Sequence, residues 1–115
     1  MEQPVARVEK PWGYELHWAK TDQYVGKVLH ITKGHALSLQ YHNVKDETIF
    51  VWSGRILFEV EIDGKMVARE MAPGQSWHTT PKTVHRMTAL EDSDVMEVST
   101  PHLDDVVRLE DRYGR

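Results

Sequence analysis

Apolar residues in this chain come in short runs, each closed by Gly, Pro, Asp or Asn, and long stretches with helical spacing are nearly absent. Short runs of this kind read as strands rather than helices. The pattern predicts strands over Trp12–Trp18, Val25–Thr32, Ala36–His42, Glu47–Trp52, Ile56–Ile62, Met66–Met71, Ser76–Thr79, Val84–Leu90 and Val95–Thr100. Breaks fall at Lys33-Gly34, Asn43, Ser53-Gly54, Asp63-Gly64, Pro73-Gly74 and Glu91-Asp92. Asp63-Gly64 sits between two apolar runs and predicts a tight hairpin, because both turn positions tolerate positive φ. Many short strands at even spacing imply an all-β sandwich or barrel. One stretch, Leu103–Glu110, reads as a short C-terminal helix.

Strand alternation assigns each residue a face. Ser38, Gln40 and His42 share one face of their strand, and Leu37, Leu39 and Tyr41 share the other. Glu47 shares its face with Ile49 and Val51, and His85 with Met87 and Ala89. A carboxylate leading an apolar face needs a partner if it is buried. Polar groups at the ends of apolar faces fit a barrel holding one small polar site.

Composition narrows the class. With 115 residues, one domain over 1–115 is expected. Hydrophobic residues at 40% and charged residues at 28% are ordinary for a soluble chain. The net charge of −4, with no Lys/Arg cluster in sequence, argues against nucleic acid as a partner. No apolar run is long enough to span a bilayer and the first residues lack a signal-peptide core, so no membrane role and a cytoplasmic location are expected. The chain has no cysteine. Disulfides and thiolate metal sites are therefore excluded, and any metal must be held by nitrogen and oxygen.

A spaced set of such ligands is present. Gly34 is followed after five residues by Gln40-Tyr41-His42, then after four by Glu47, then after six by Gly54. Farther on, Pro73-Gly74 precedes His85, which lies eleven positions after that glycine. Two imidazoles, a carboxylate and an amide oxygen suit one divalent ion such as Zn, Mn, Fe, Co or Ni. Gln40 and His42 point the same way, a hairpin after Asn43 would return Glu47 beside them, and His85 needs the barrel to close.

The arrangement resembles the two cupin motifs, G-x5-H-x-H-x3,4-E-x6-G and G-x5-P-x-G-x2-H, with Gln40 in place of the first histidine. The Q-x-H variant is similar to the phosphomannose isomerase branch of the cupins, where Gln, His, Glu and His hold the metal. KPWGYE near the start, LSLQYH in the middle and VVRLEDRYGR at the end are similar to the C-terminal isomerase domain of the type II mannose-6-phosphate isomerase/mannose-1-phosphate guanylyltransferase. The resemblance covers essentially the whole chain. It implies a single cupin barrel (a double-stranded β-helix, or jelly roll) with metal ligands Gln40, His42, Glu47 and His85. It further implies an activity that interconverts aldose and ketose sugar phosphates through a metal-stabilised enediolate, and a homodimer formed by extending Met1–Lys10 onto a partner. The nucleotidyltransferase part is absent, so no guanylyltransferase activity is expected.

The departures fall around the ligands. The family run QxHHHRxExW reads here Gln40-Tyr41-His42-Asn43-Val44-Lys45-Asp46-Glu47-Thr48-Ile49, with Lys45 at the Arg position and Ile49 at the Trp position. Lysine keeps the charge but not the bidentate fork of arginine. In the second motif, Thr80-Pro81-Lys82-Thr83-Val84-His85 shifts the proline by one and loses the inner glycine.

Other candidates have weaker patterns. Glu97 lies in an EVS run where the family has EVQ and is a candidate base, with a solvated or ion-paired role as the alternative. Lys27, Lys33, Lys45, Arg86 and Arg112 are candidates for a phosphate, Arg112 because it falls in the family-like tail. Glu97 and Arg112 are thus the candidate catalytic residues. His35 reads as a solvated loop residue, His30 and His78 as strand positions able to line the barrel, and His17 and His102 as surface. Trp12, Trp18, Trp52 and Trp77 read as core filler rather than a sugar platform. Three functions follow: a metal-dependent isomerase of sugar phosphates, a non-catalytic module binding a sugar or sugar phosphate, and a metal-dependent oxygenase. Gln40 counts against the last, since oxygen-activating sites tend to be richer in histidine.

Overall fold

The computed structural model describes residues 1–115 as eleven strands without a helix. In chain order these are β1 Ala6–Lys10, β2 Gly13–Lys20, β3 Val25–Ile31, β4 Leu39–Tyr41, β5 Glu47–Ser53, β6 Ile56–Ile62, β7 Lys65–Met71, β8 Ser76–Thr79, β9 His85–Ala89, β10 Ser93–Ser99 and β11 Val107–Glu110. They form two antiparallel sheets, a larger one ordered β1-β2-β3-β10-β5-β8 and a smaller one ordered β11-β4-β9-β6-β7. The two face each other as a jelly-roll barrel, the all-β architecture expected from the strand pattern. No helix long and apolar enough to cross a membrane is present.

Turn chemistry sets the register. Asp63 and Gly64 take φ of 51° and 77°, and Ile62 pairs with Lys65 across them, the two-residue hairpin expected of Asp-Gly. Gly54 takes φ of 84°, and a Cβ there would meet Ser93 Oγ at 2.3 Å, so this turn admits no side chain.

Between the sheets lies a hydrocarbon core that includes Trp12, Leu29, Ile31, Ile49, Val51, Ile56, Phe58, Val60, Met87 and Val95. It occupies one half of the barrel. Burial alternates strictly along β6 and β9, as expected of strands with one face in the core.

Two expectations are corrected. Leu103–Glu110 is not a helix: Leu103 and Asp104 lie in a turn, and Val107–Glu110 pairs with β4, Val107 opposite Tyr41 and Arg108 opposite Gln40. The open edge of β4 offers that segment backbone partners that outweigh its local helical spacing. No hairpin joins β4 to β5, because the two strands belong to different sheets and the intervening loop crosses between them. Residues 6–10 pair as β1 with β2 of the same chain and leave the outer edge of β1 unpaired.

Candidate metal centre

The crossing between sheets builds the site. Gln40 on β4 stands opposite His85 on β9, so their side chains share a face, and His42 lies two residues farther along the chain. Glu47 opens β5 in the other sheet. Gln40 and His42 border a cavity of about 450 Å³, with buried Glu47 and His85 beside them. One ligand atom from each of His42, Glu47 and His85 lies within 4.8 Å of the others. Glu47 Oε1 is 2.9 Å from His42 Nε2 and 3.1 Å from His85 Nε2. Gln40 lines the same cavity, and its Oε1 accepts the Ser38 hydroxyl at 2.6 Å.

Tautomers decide what these atoms want. His42 Nδ1 meets the Asp105 carbonyl oxygen, and His85 Nδ1 meets the Thr83 carbonyl oxygen at 2.8 Å. A carbonyl only accepts, so both Nδ1 atoms carry a hydrogen, and Nε2 is the atom each ring turns toward Glu47. His42 Nε2 and Glu47 Oε1 are buried without a hydrogen-bond partner. Two imidazole nitrogens and a carboxylate oxygen this close in a dry pocket need positive charge between them, as a proton or a metal ion. The donor set therefore fits a divalent ion, and backbone carbonyls behind metal-binding imidazoles are the usual means of orienting them.

Neighbouring charges tune the site. Burial raises the Glu47 carboxyl, but the two imidazoles, Glu97 and Lys45 together hold it well below the usual carboxylate range. Burial lowers Lys45, but Glu97 and Glu47 outweigh it, so this ammonium is held more firmly than usual. Its Nζ is 3.2 Å from Glu97 Oε2 and 3.6 Å from Glu47 Oε2. Burial and the neighbouring Glu47 charge push Glu97 up to about 7, with Lys45 and Lys27 pulling against them. The ladder continues across the sheet: Lys27 Nζ is 3.9 Å from Glu97 and 3.4 Å from Glu15, and His17 Nε2 is 2.8 Å from Glu15.

The remaining candidates sort by position. Glu97, Lys27 and Lys45 line the cavity. Arg112 does not: its guanidinium donates to the Gly34 carbonyl oxygen, and the tail cations that reach the cavity are Arg108 and Arg115. Arg86 pairs with Glu110 on the outside of the smaller sheet. Lys33 is exposed. His17, expected at the surface, lines the cavity beside Glu15. His35 is not a solvated loop residue: it stacks on Tyr113, with Nδ1 at 2.8 Å from the phenol oxygen. His30 and His78 do not line the cavity and pair instead with Asp94 and Asp46. Of the tryptophans, Trp12 is core and Trp77 packs against it, but Trp18 and Trp52 are exposed.

A strand-by-strand reading missed two residues of the site. Asp105 holds His42 through its carbonyl, and its carboxylate accepts the amides of Asn43, Val44 and Lys45 at 3.0, 2.7 and 2.8 Å. Those amides hold its carboxyl down at about 2. The Asp104-Asp105 pair in a supposed helix was the available hint. Glu15 was hidden because its apolar neighbours Tyr14 and Leu16 suggest the opposite face.

Lys82 occupies the position of the glycine missing from the second motif and keeps a glycine's backbone, with φ of 65°. Its N–H donates to the His42 carbonyl oxygen at 2.6 Å. The turn that aims His85 is thus preserved without the residue type best suited to it.

Residues 27–101 match the family model described as Cupin domain. Among curated proteins, none matches the chain by sequence. Several solved structures share its fold. KdgF from Halomonas sp. is 26% identical with a TM-score of 0.68, over 89% of this chain and 91% of that one. The capsular polysaccharide assembling protein CapF from Staphylococcus aureus is 18% identical with a TM-score of 0.76, over 94% of this chain and 35% of that one. Oxalate decarboxylase from Bacillus subtilis is 13% identical with a TM-score of 0.78, over 91% of this chain and 30% of that one. The chain spans about a third of the latter two proteins, and at these identities they share its fold alone.

Proposed function

Because the chain belongs to the cupin domain family and gathers His42, Glu47 and His85 beside a cavity, we propose that it is a metal-dependent isomerase of sugar phosphates, similar to mannose-6-phosphate isomerase. The observation that carries the reading is the convergence of two Nε2 atoms on one Glu47 oxygen, at 2.9 and 3.1 Å. Gln40 would complete the set that holds the ion. A divalent ion there would supply Lewis-acid polarisation of substrate oxygens.

The cavity's own residues fit an anionic substrate. Lys10, Lys20, Lys27, Lys45, Arg108 and Arg115 line it against Glu15, Glu97 and Asp104, six cations to three carboxylates in a chain of net charge −4. Such a local excess of positive charge draws in a phosphate. Glu97, buried beside Glu47 with Oε2 on Lys45, is the carboxyl positioned to carry a proton between the first two sugar carbons. A cytoplasmic location, where sugar phosphates are held, belongs to this reading. A second reading, binding without turnover, is favoured by one observation: Lys45 and Lys27 are already partnered by carboxylates and are less free to grip a substrate.

The test is metal analysis followed by a coupled assay. Protein loaded separately with Mn, Zn, Co, Fe or Ni is expected to hold about one ion per chain and to interconvert mannose 6-phosphate and fructose 6-phosphate. Glu47→Gln is expected to lose the metal. Loaded protein that binds the sugar phosphates without turnover would leave only the binding module. Failure to retain any ion would sink both the metal site and the isomerase.

A further inference from the structure

The cavity holds one imidazole besides the ligand His42, and it is His17. His30, His35, His78 and His102 do not border it. The chain aims His17 with a bulge. Glu15 and His17 lie two apart on β2 and face the cavity together. Just beyond them the register with β3 shifts: His17 stands opposite Lys27, Ala19 stands opposite Gly26, and Trp18 is the extra residue. Gly26 leaves room for that residue, since a Cβ there would meet the Trp18 indole at 2.7 Å. Trp18 therefore stays outside, and past the bulge Lys20 joins Glu15 and His17 along the cavity.

The hydrogen bonding of the pair suits proton transfer. His17 Nε2 is 2.8 Å from Glu15 Oε1, and Lys27 Nζ is 3.4 Å from the same oxygen. Burial raises the Glu15 carboxyl, but Lys27 and His17 outweigh it and hold it below its usual range. A carboxylate only accepts, so Nε2 carries a hydrogen. His17 Nδ1 has no partner in the protein and is not sealed from solvent. A carboxylate behind one ring nitrogen orients the imidazole and stabilises its cation, which leaves the other nitrogen to exchange a proton. The ligand histidines are the reverse case, anchored through Nδ1 and presenting Nε2.

We propose that Glu15 and His17 form an acid–base dyad that opens the sugar ring, which gives the protein an anomer-exchanging activity of its own. The inference takes its substrate class from the sugar-phosphate reading but needs no proton transfer at carbon. A hexose 6-phosphate in water is almost wholly a closed hemiacetal, whereas isomerisation acts on the open aldehyde. Glu97, held on Lys45 beside Glu47, is assigned to the carbon-bound proton, so ring opening needs a second group. His17 Nδ1 takes the proton of the anomeric hydroxyl, and that O–H electron pair becomes the second bond of the carbonyl. The bond from the anomeric carbon to the ring oxygen breaks, and the ring oxygen takes a proton from a cavity water. The hydroxide left behind takes the proton from Nδ1 and restores the dyad. Reclosure on either face of the aldehyde exchanges the anomers. Glu15 is the positioning residue.

Saturation-transfer NMR between the anomeric protons of α- and β-mannose 6-phosphate tests it, on the metal-loaded full chain. Exchange should exceed the buffer rate in proportion to protein concentration. His17→Gln keeps an amide to meet Glu15 but has no titratable nitrogen. It should lose about a hundredfold of the protein-catalysed rate, with metal content and circular dichroism unchanged. His17→Ala should regain part of the rate when free imidazole is added, which a packing role for His17 does not provide. A wild-type chain that leaves exchange at the buffer rate overturns the proposal, and so does His17→Gln exchanging at the wild-type rate. Exchange without any fructose 6-phosphate formed removes the isomerase and leaves the dyad standing.

Discussion

The inward side chains of four strands change character halfway along. On β3, Lys27 gives way to Leu29 and Ile31, on β5 Glu47 to Ile49 and Val51, on β9 His85 to Met87 and Ala89, and on β10 Glu97 stands beside Val95. One half of the barrel is hydrocarbon and the other is a lattice of buried charge. The same backbone register runs through both halves, so the difference lies in side chains alone. The hydrocarbon half stabilises by removing apolar surface from water. The charged half has to offset the desolvation of each ion with contacts.

The largest effect is expected where the hydrocarbon half is cut. Ile56 is fully buried, between Met71 and Ala89 in neighbouring strands, and does not line the cavity. Ile56→Ala is expected to cost about 4 kcal/mol in urea unfolding, from lost transfer energy and the void left behind. The folded fraction should keep the wild-type metal content. Loss of metal binding in that fraction would show that the two halves are not separable.

Cutting the charged half has a different signature. Lys45→Met keeps the bulk of the side chain but strands Glu97 and Glu47 with one cation fewer. Breaking a buried pair from one side costs about 3 kcal/mol, the low end of the usual range here because Glu97 can take up a proton. A divalent ion supplies positive charge to the same carboxylates. The loss should therefore be largest without metal and shrink when a saturating ion is added. An equal loss with and without metal would mean that Lys45 acts through packing rather than charge.

Legibility in the sequence followed the same division. The hydrocarbon half was read well because its strands alternate: β6 runs Ile56–Ile62 as expected, and Glu47, Ile49 and Val51 share a face as expected. The ligand spacing was equally legible, since His42, Glu47 and His85 gather within 4.8 Å of one another and Gln40 stands opposite His85. Alternation misled where the pattern inverts. On β2 the apolar Leu16 and Trp18 face outward, while Glu15 and His17 face the cavity. On β10, Val98 is exposed and Glu97 buried. A rule that places apolar residues inside fails on strands with a charged cavity on one side and an apolar outer surface on the other. Arg112 and the 103–110 helix failed for another reason. The tail's course is set by the edge of β4 and by Asp105, long-range partners that local spacing does not encode.

The smallest expected effect concerns how the charged half is held in place. Lys82 sits at φ of 65°, a conformation that crowds any Cβ, in the turn leading to His85. Its N–H bond to the His42 carbonyl ties the turn to the other ligand strand, so the backbone cannot relax without disturbing both imidazoles. The side chain is exposed and has no resolved partner in an ion pair or hydrogen bond. Glycine would relieve the crowding while adding freedom to the unfolded chain, and the first effect is the larger. Lys82→Gly should therefore stabilise by about 0.5–1 kcal/mol, with metal affinity unchanged or slightly raised by better-ordered ligands. Lys82→Ala removes the charge but keeps the Cβ and should give no gain. Equal stabilisation by the two substitutions in parallel urea titrations would assign the effect to surface charge, and the turn would then carry no strain for glycine to release.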